Sequence, residues 1–217
     1  KIKLITETKS ISELSKVACG MLIRKSENVA NAQALMLLTQ LKMTCALGKV
    51  AAVSEWVENF MSSEEKLIVF AEHIQVQRAL IDNLSKYNPC SILGEMSVEE
   101  RQAAVDAFQK DDSRKLIICS LQAAGVGLTM TAASNVAFVQ CGWTPALHDQ
   151  AEDRAHRIGQ DNAVTCYYLL CHDTIDDDVW SLIESKREVV DKASDGGSVG
   201  KKEIKNLIKN VKKRAGF

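Results

Sequence analysis

At 217 residues, 46% hydrophobic and 25% charged, the chain has the make-up of an ordinary globular protein, with length for one sizeable core plus appendages or two small domains. No run approaches the ~20 apolar residues of a membrane span, and KIKLITETKS lacks the apolar centre of a signal peptide. The net charge of −1 hides a basic end: from 199 to 217 seven Lys or Arg stand against Glu203 alone, a net of +6, which suggests a nucleic-acid partner for the tail but not for the bulk.

These features predict an intracellular protein with no membrane role: cytoplasmic or nucleoid-associated in a bacterium or phage, nuclear in a eukaryote. Seven cysteines, at 19, 45, 90, 119, 141, 166 and 171, form no C-x-x-C pair, and the four histidines have no zinc spacing. Reduced core thiols are expected, and no metal site. Position 1 is Lys, so the sequence reads as a piece of a longer chain.

Taken in order, residues 1–62 read as helical and connecting, an N-terminal extension packed on the lobe. Leu14, Val17, Met21 and Leu22 suit one helix face, as do Ala34, Leu37, Leu38 and Leu41, and then Val50, Val53, Val57 and Phe60. No phosphate-cradling glycine loop occurs here, because Met43 stands where glycine would be needed before Gly48-Lys49. From 66 onward short apolar runs suit strands buried on both faces: LIVFA (67–71), CSILG (90–94), KLIIC (115–119), NVAFV (135–139) and VTCYYLL (164–170). Helical patterns separate most of them, at about 73–86, 97–109 and 145–158. This alternation predicts an α/β fold, a mostly parallel sheet with helices on both sides, over 63–194. Ser97 with Glu100 forms a capping box, and Thr174 with Asp177 a second that opens a helix to about 192. DGGSVG (195–200) is a joint, and Ile204, Leu207, Ile208 and Val211 mark a last, lysine-rich amphipathic helix, so 195–217 is read as a separate part.

The chemistry concentrates in QAEDRAHRIGQ (150–160). Thr144 is expected to cap this helix, Pro145 to occupy its first turn and Gly159 to end it. Leu147, Ala151, Ala155 and Ile158 then form an apolar stripe, and Gln150, Arg154 and Arg157 a polar one beside it. Two guanidiniums on a rigid support match phosphate oxygens at any working pH. The plainer possibility is a solvated face with Glu152 and Asp153 pairing the arginines. Upstream, CSLQAAGVGLTMTAASNVAF (119–138) leaves one strand and returns to another through Gly125 and Gly127, which either let the backbone approach a ligand or make a simple turn.

QAEDRAHRIGQ resembles motif six of helicase superfamily two in the Swi/Snf-type DNA-dependent ATPases, whose pattern Q-x-x-x-R-x-x-R-x-G-Q is filled by Gln150, Arg154, Arg157, Gly159 and Gln160. The 119–138 stretch resembles motif five, S-T-x-A-G-G-x-G-x-N-L-T-A-A, with Leu121, Ala124 and Thr129 at the Thr, one Gly and the Asn. KLIVFAEH (66–73) resembles motif four, LGEMSVEER (93–101) its companion, GWTP (142–145) the family's D-W-N-P run, and HDTIDDDVWSLIESK (172–186) its brace helix. QAAGVGLT, AEDRAHRIGQ and LGKV are spelled most like the fork-remodelling, strand-annealing branch.

The resemblance implies a second RecA-like lobe, a three-layer α/β/α domain of a double-stranded-DNA translocase. Arg154 and Arg157 act there as catalytic arginine fingers on ATP, with Gln150, Gly125 and Gly127 beside the nucleotide. ATP with Mg2+ is held mainly by a first lobe that has no counterpart here, the N-terminal RecA-like lobe of the same polypeptide, and this piece alone is expected to be inactive. Double-stranded or forked DNA is the implied partner, with Ser97, Ser120, Gln122 and Trp143 as candidate contacts. For Ser97 the helix-cap role suffices and is the preferred reading, whereas Trp143 equally packs the helix start. The competing reading of the whole is a non-catalytic DNA-binding or scaffolding module that keeps the fold.

Overall fold

The computed structural model describes residues 2–6, 31–122, 129–156, 162–190 and 201–215. Its centre is a six-stranded sheet in the order β1-β6-β5-β2-β4-β3. The strands are β1 (Ile2–Thr6), β2 (Leu67–Ala71), β3 (Cys90–Ile92), β4 (Leu116–Ser120), β5 (Asn135–Phe138) and β6 (Thr165–Cys171), and every pairing is parallel.

Alternate residues along a strand face opposite sides, and β2 shows what that demands of a sheet covered twice. Ile68 and Phe70 enter one buried cluster, Leu67, Val69 and Ala71 the other. Both faces must be apolar, which is why these strands read as unbroken hydrophobic runs. On the first face lie α1 (Asn31–Gly48), α4 (Val98–Lys110), α5 (Pro145–Ala155), α6 (Ile175–Val190) and α7 (Lys201–Ala215); on the second lie α2 (Val50–Met61) and α3 (Ile74–Asn83). The result is the expected three-layer α/β/α arrangement.

Several local expectations change. Residues 2–6 form a strand, not a helix or connection: IKLIT is rich in β-branched residues, and the edge of β6 gives its backbone a hydrogen-bonding partner. The faces marked by Leu38, Leu41, Val53 and Val57 pack into the two buried clusters of the lobe. β3 is shorter than its apolar run, because the chain turns at Gly94. The helix that begins at Pro145 ends at Ala155, with His156 already off the helical conformation, so the expected stop at Gly159 lies outside the described residues. Thr144 has extended dihedrals suited to a cap but makes no side-chain capping bond.

The Ser97–Glu100 capping box forms in both directions: Ser97 Oγ accepts from the Glu100 amide at 3.2 Å, and the Glu100 carboxylate accepts from the Ser97 amide at 2.7 Å. At α6 the box shifts by one residue. Thr174 Oγ1 accepts from the Asp176 amide at 3.2 Å, and the Asp177 carboxylate accepts from the Asp173 amide at 2.8 Å. All six described cysteines are free and buried, as core thiols should be. No single described helix is long and apolar enough to cross a membrane.

Candidate functional site

Because all strands run the same way, their carboxyl ends share one edge, where parallel sheets collect ligands. The segments leaving β2, β3, β4 and β5 there carry the candidate residues. Ser120 ends β4 and is buried, while Gln122 two residues on is exposed. Ser97 follows β3, exposed and occupied as the α4 cap. Gly125, Gly127 and Arg157 lie outside the described residues, as do Gly159 and Gln160.

Helix α5 is mounted on an aromatic row. Phe70, Phe138 and Tyr168 sit in register on β2, β5 and β6, their rings stacked at 5.5 and 4.8 Å. His148, fully buried on α5, lies 4.9 Å from the Phe138 ring, and its Nε2 accepts from the Gly142 amide at 3.0 Å. Gly142 leaves room at this close approach, since a Cβ there would stand 2.8 Å from Leu147 Cδ1 and oblige that side chain to shift. Ala151 and Ala155 are small enough to let α5 settle onto the sheet, and both are fully buried.

A polar network ties α5 to α6 behind this row. Tyr168 Oη donates to Glu152 at 2.7 Å, and Arg187 on α6 reaches Asp149 at 3.3 Å, Tyr168 Oη at 3.4 Å and Glu152 at 3.7 Å. Burial, with the Glu152 carboxylate beside it, holds the Tyr168 phenol well above its ordinary pKa. Of the two acids that could have neutralised the motif arginines, Glu152 is therefore turned away toward Tyr168 and Arg187.

Gln150 is exposed and Arg154, one turn further along α5, is half-buried. The Arg154 Nε is buried and has no hydrogen-bond partner among the described residues. A desolvated donor of a fixed cation left this way is costly, and an anionic acceptor would relieve it. The Arg154 carbonyl accepts from the Met130 amide at 2.9 Å, so the end of α5 abuts the return leg of the glycine-bearing segment. The donor chemistry at this position fits a phosphate. The described residues hold one group of metal-ligand type, the exposed His172 and Asp173 with the half-buried Asp177.

Sequence reasoning missed three features. Lys42 on α1 is 2% exposed, pairs with Glu72 at 2.5 Å and lies 4.1 Å from the centre of the Trp143 ring. Trp143 is half-buried against the core, an arrangement compatible with either of the two roles left open for it. Next to it the Gln140 carbonyl accepts from the amides of Glu72 and His73 at 3.0 and 3.1 Å, which turns its amide donor onto His73 Nδ1 at 2.7 Å. That imidazole is a neutral acceptor at Nδ1, and burial lowers its pKa despite Glu72 alongside.

The third is a buried ion pair. Lys49, with 0% of its side chain exposed, bonds Asp176 at 2.5 Å and the Leu169 carbonyl at 2.7 Å, and Asp176 also accepts from the Cys171 amide at 3.0 Å. Burial alone would depress the Lys49 ammonium, but the Asp176 carboxylate carries its pKa above the ordinary value. Lysines at 42 and 49 inside an otherwise apolar helical stretch were the available signal.

A parallel three-layer lobe with an arginine-bearing helix beside the carboxyl edge of its sheet belongs to the class of RecA-like domains. The chain is a member of the helicase conserved C-terminal domain family, whose model matches residues 48–159, and within it of the Swi/Snf type. It is 39% identical over 146 residues to the "SWI/SNF-related matrix-associated actin-dependent regulator of chromatin subfamily A-like protein 1" of Drosophila melanogaster, covering 66% of this chain and 19% of that protein. It is 38% identical over 165 residues to the human "DNA annealing helicase and endonuclease ZRANB3", covering 74% of this chain and 15% of that protein, in keeping with the branch its motif spelling indicated. The chain thus spans under a fifth of the length of these two relatives. Among solved structures, the "Sulfolobus solfataricus SWI2/SNF2 ATPase C-terminal domain" matches in fold with a TM-score of 0.71 at 20% identity, over 95% of this chain and 97% of that one. The same organism's "SWI2/SNF2 ATPase core in complex with dsDNA" matches with a TM-score of 0.73 at 23% identity, over 95% and 49%.

Proposed function

We propose that this chain is the second motor lobe of an ATP-dependent translocase on double-stranded DNA, completing a nucleotide site whose first half lies on another RecA-like lobe. Arg154 and Arg157 are the fingers that neutralise charge developing on the transferred phosphoryl group, and Gln150 with the glycine segment 125–127 lines the same side. Bound ATP with Mg2+ supplies the phosphoryl group and is held mainly by the first lobe. Ser97, Ser120, Gln122 and Trp143 lie along or beside the DNA track. The setting is intracellular, at chromatin or a replication fork.

One observation carries the reading: Arg154 sits at the end of a helix fixed by the sheet, its Nε desolvated and without a partner among the described residues. A merely solvated face would pair Arg154 with Glu152 or Asp153; neither bonds it among the described residues, and Glu152 bonds Tyr168 and Arg187. The names of the relatives and of the DNA-bound solved core support the choice of DNA as partner.

The test uses this chain alone and the full-length protein. The chain alone should show negligible ATPase. In the full-length protein, Arg157→Ala or Arg154→Ala should lower DNA-stimulated ATPase by about 10³-fold or more while DNA affinity stays nearly intact. Turnover unchanged in both variants removes the finger assignment, and a full-length protein that binds DNA without hydrolysing ATP returns the scaffolding alternative.

A further inference from the structure

We propose that the outer face of α7 is a phosphate grip, a ladder of Lys205, Lys209 and Lys213 that binds the backbone of duplex DNA without regard to base sequence. The proposal rests on the DNA-motor reading above and adds to it a contact far along the chain from the helicase motifs.

The helix is anchored from one side only. Ile204, Leu207 and Val211 are buried in the main core, Ile208 is half-buried against it, and α7 packs on α1 and α6. This fixes which residues face outward: 205, 206, 209, 210 and 213 are exposed, three lysines and two asparagines with no apolar residue among them. Lysines four apart on a helix rise by about 6 Å per step, so they form one row of cations inclined to the helix axis.

Nothing described nearby neutralises that row. None of the three lysines has an ion-pair partner among the described residues. The α1 sequence contains no acid. On α6, Asp176 is taken by Lys49, Asp177 by the Asp173 amide and His172, and Glu184 by Arg187, while Asp178 is buried in the interior and the Glu188 side chain lies outside the described residues. A row of ammonium groups with no ion-pair partner among the described residues attracts a polyanion.

The chemistry selects which polyanion. An anionic membrane would need the apolar face of α7 for insertion, and that face is already in the core. A folded protein partner would want an aromatic or aliphatic anchor between the charges, and the exposed face offers Lys and Asn only. Phosphates repeating along a duplex suit evenly spaced cations with interleaved amide donors, and such contacts position a protein without reading sequence.

The experiment compares the full-length protein with its Lys205→Gln/Lys209→Gln/Lys213→Gln variant, using fluorescence anisotropy on two duplexes of unrelated sequence over a range of salt. Each phosphate contact adds about 0.9 to the slope of log K against log salt, so the triple variant should lose up to about 2.7 from the slope, equally on both duplexes. The Lys→Arg triple should restore it, and an unchanged urea midpoint should attest the fold. A folded Gln triple with the parent's slope and affinity on both duplexes overturns the proposal. A parent that binds neither duplex overturns the DNA-motor reading itself, so the two failures are told apart.

Discussion

Asp176 answers two demands at once: it neutralises Lys49 and it accepts the Cys171 amide at the end of β6. Taking a carboxylate and an ammonium out of water is expensive, and the contact recovers that cost only while both charges are present. Asp176→Asn keeps an oxygen for the amide but strands the Lys49 ammonium, so it should destabilise the chain by about 3–5 kcal/mol in urea unfolding. Lys49→Met added to Asp176→Asn, which keeps an acceptor for the Cys171 amide, should recover most of the loss; a double variant as unstable as Asp176→Asn would mean that the charge pairing is not what matters. The arginines that bear the proposed chemistry were legible at this scale because their spacing and neighbours form a pattern. The buried lysines were not, because a lysine in an apolar helix gives no hint of which distant acid meets it.

At the scale of elements, α5 owes its position to neighbours on both sides. Its floor is the Phe70–Phe138–Tyr168 row, and its flank is Arg187 of α6, which joins Asp149, Glu152 and Tyr168. Arg187→Gln should therefore cost about 2 kcal/mol, the range for hydrogen bonds to charged partners that are partly withdrawn from water. A double-mutant cycle with Tyr168→Phe should give a coupling of at least about 0.5 kcal/mol, and strict additivity would contradict a shared network. Strands and helices were largely legible, since strands covered on both faces need unbroken apolar runs and the helices between them show a 3.6-residue period. Their ends were less so. The helix at Pro145 closes at Ala155, and β1 goes unrecognised until β6 is there to pair with it.

Across the whole molecule, buried titratable groups should confine stability to a window of pH. His73 is neutral in the fold with a lowered pKa, so its contribution is complete above the ordinary imidazole value of about 6.5 and is lost as pH falls toward the folded value. Burial pushes the Cys141 thiol from 9.0 up to about 12, and Cys45 and Cys119 also rise; their contribution is complete below 9.0 and is lost as pH climbs. Urea midpoints should be flat between these limits and fall on both sides. His73→Gln, whose amide can still accept from Gln140, should flatten the decline just below about 6.5. An acid limb identical in parent and variant would exclude His73 as its source.

The sequence by itself determined the fold class, the order of the motifs and the kinship with helicase C-terminal domains, because covering a parallel sheet on both faces and presenting a run of spaced arginines are both local patterns. Only the tertiary structure decided that Glu152 serves Tyr168 and Arg187 instead of Arg154, that Lys49 finds Asp176, and that α7 turns Lys205, Lys209 and Lys213 outward. Those outcomes depend on which distant groups packing brings within a few ångströms. Electrostatic partners are chosen by position in space, and spacing along the chain carries no record of them.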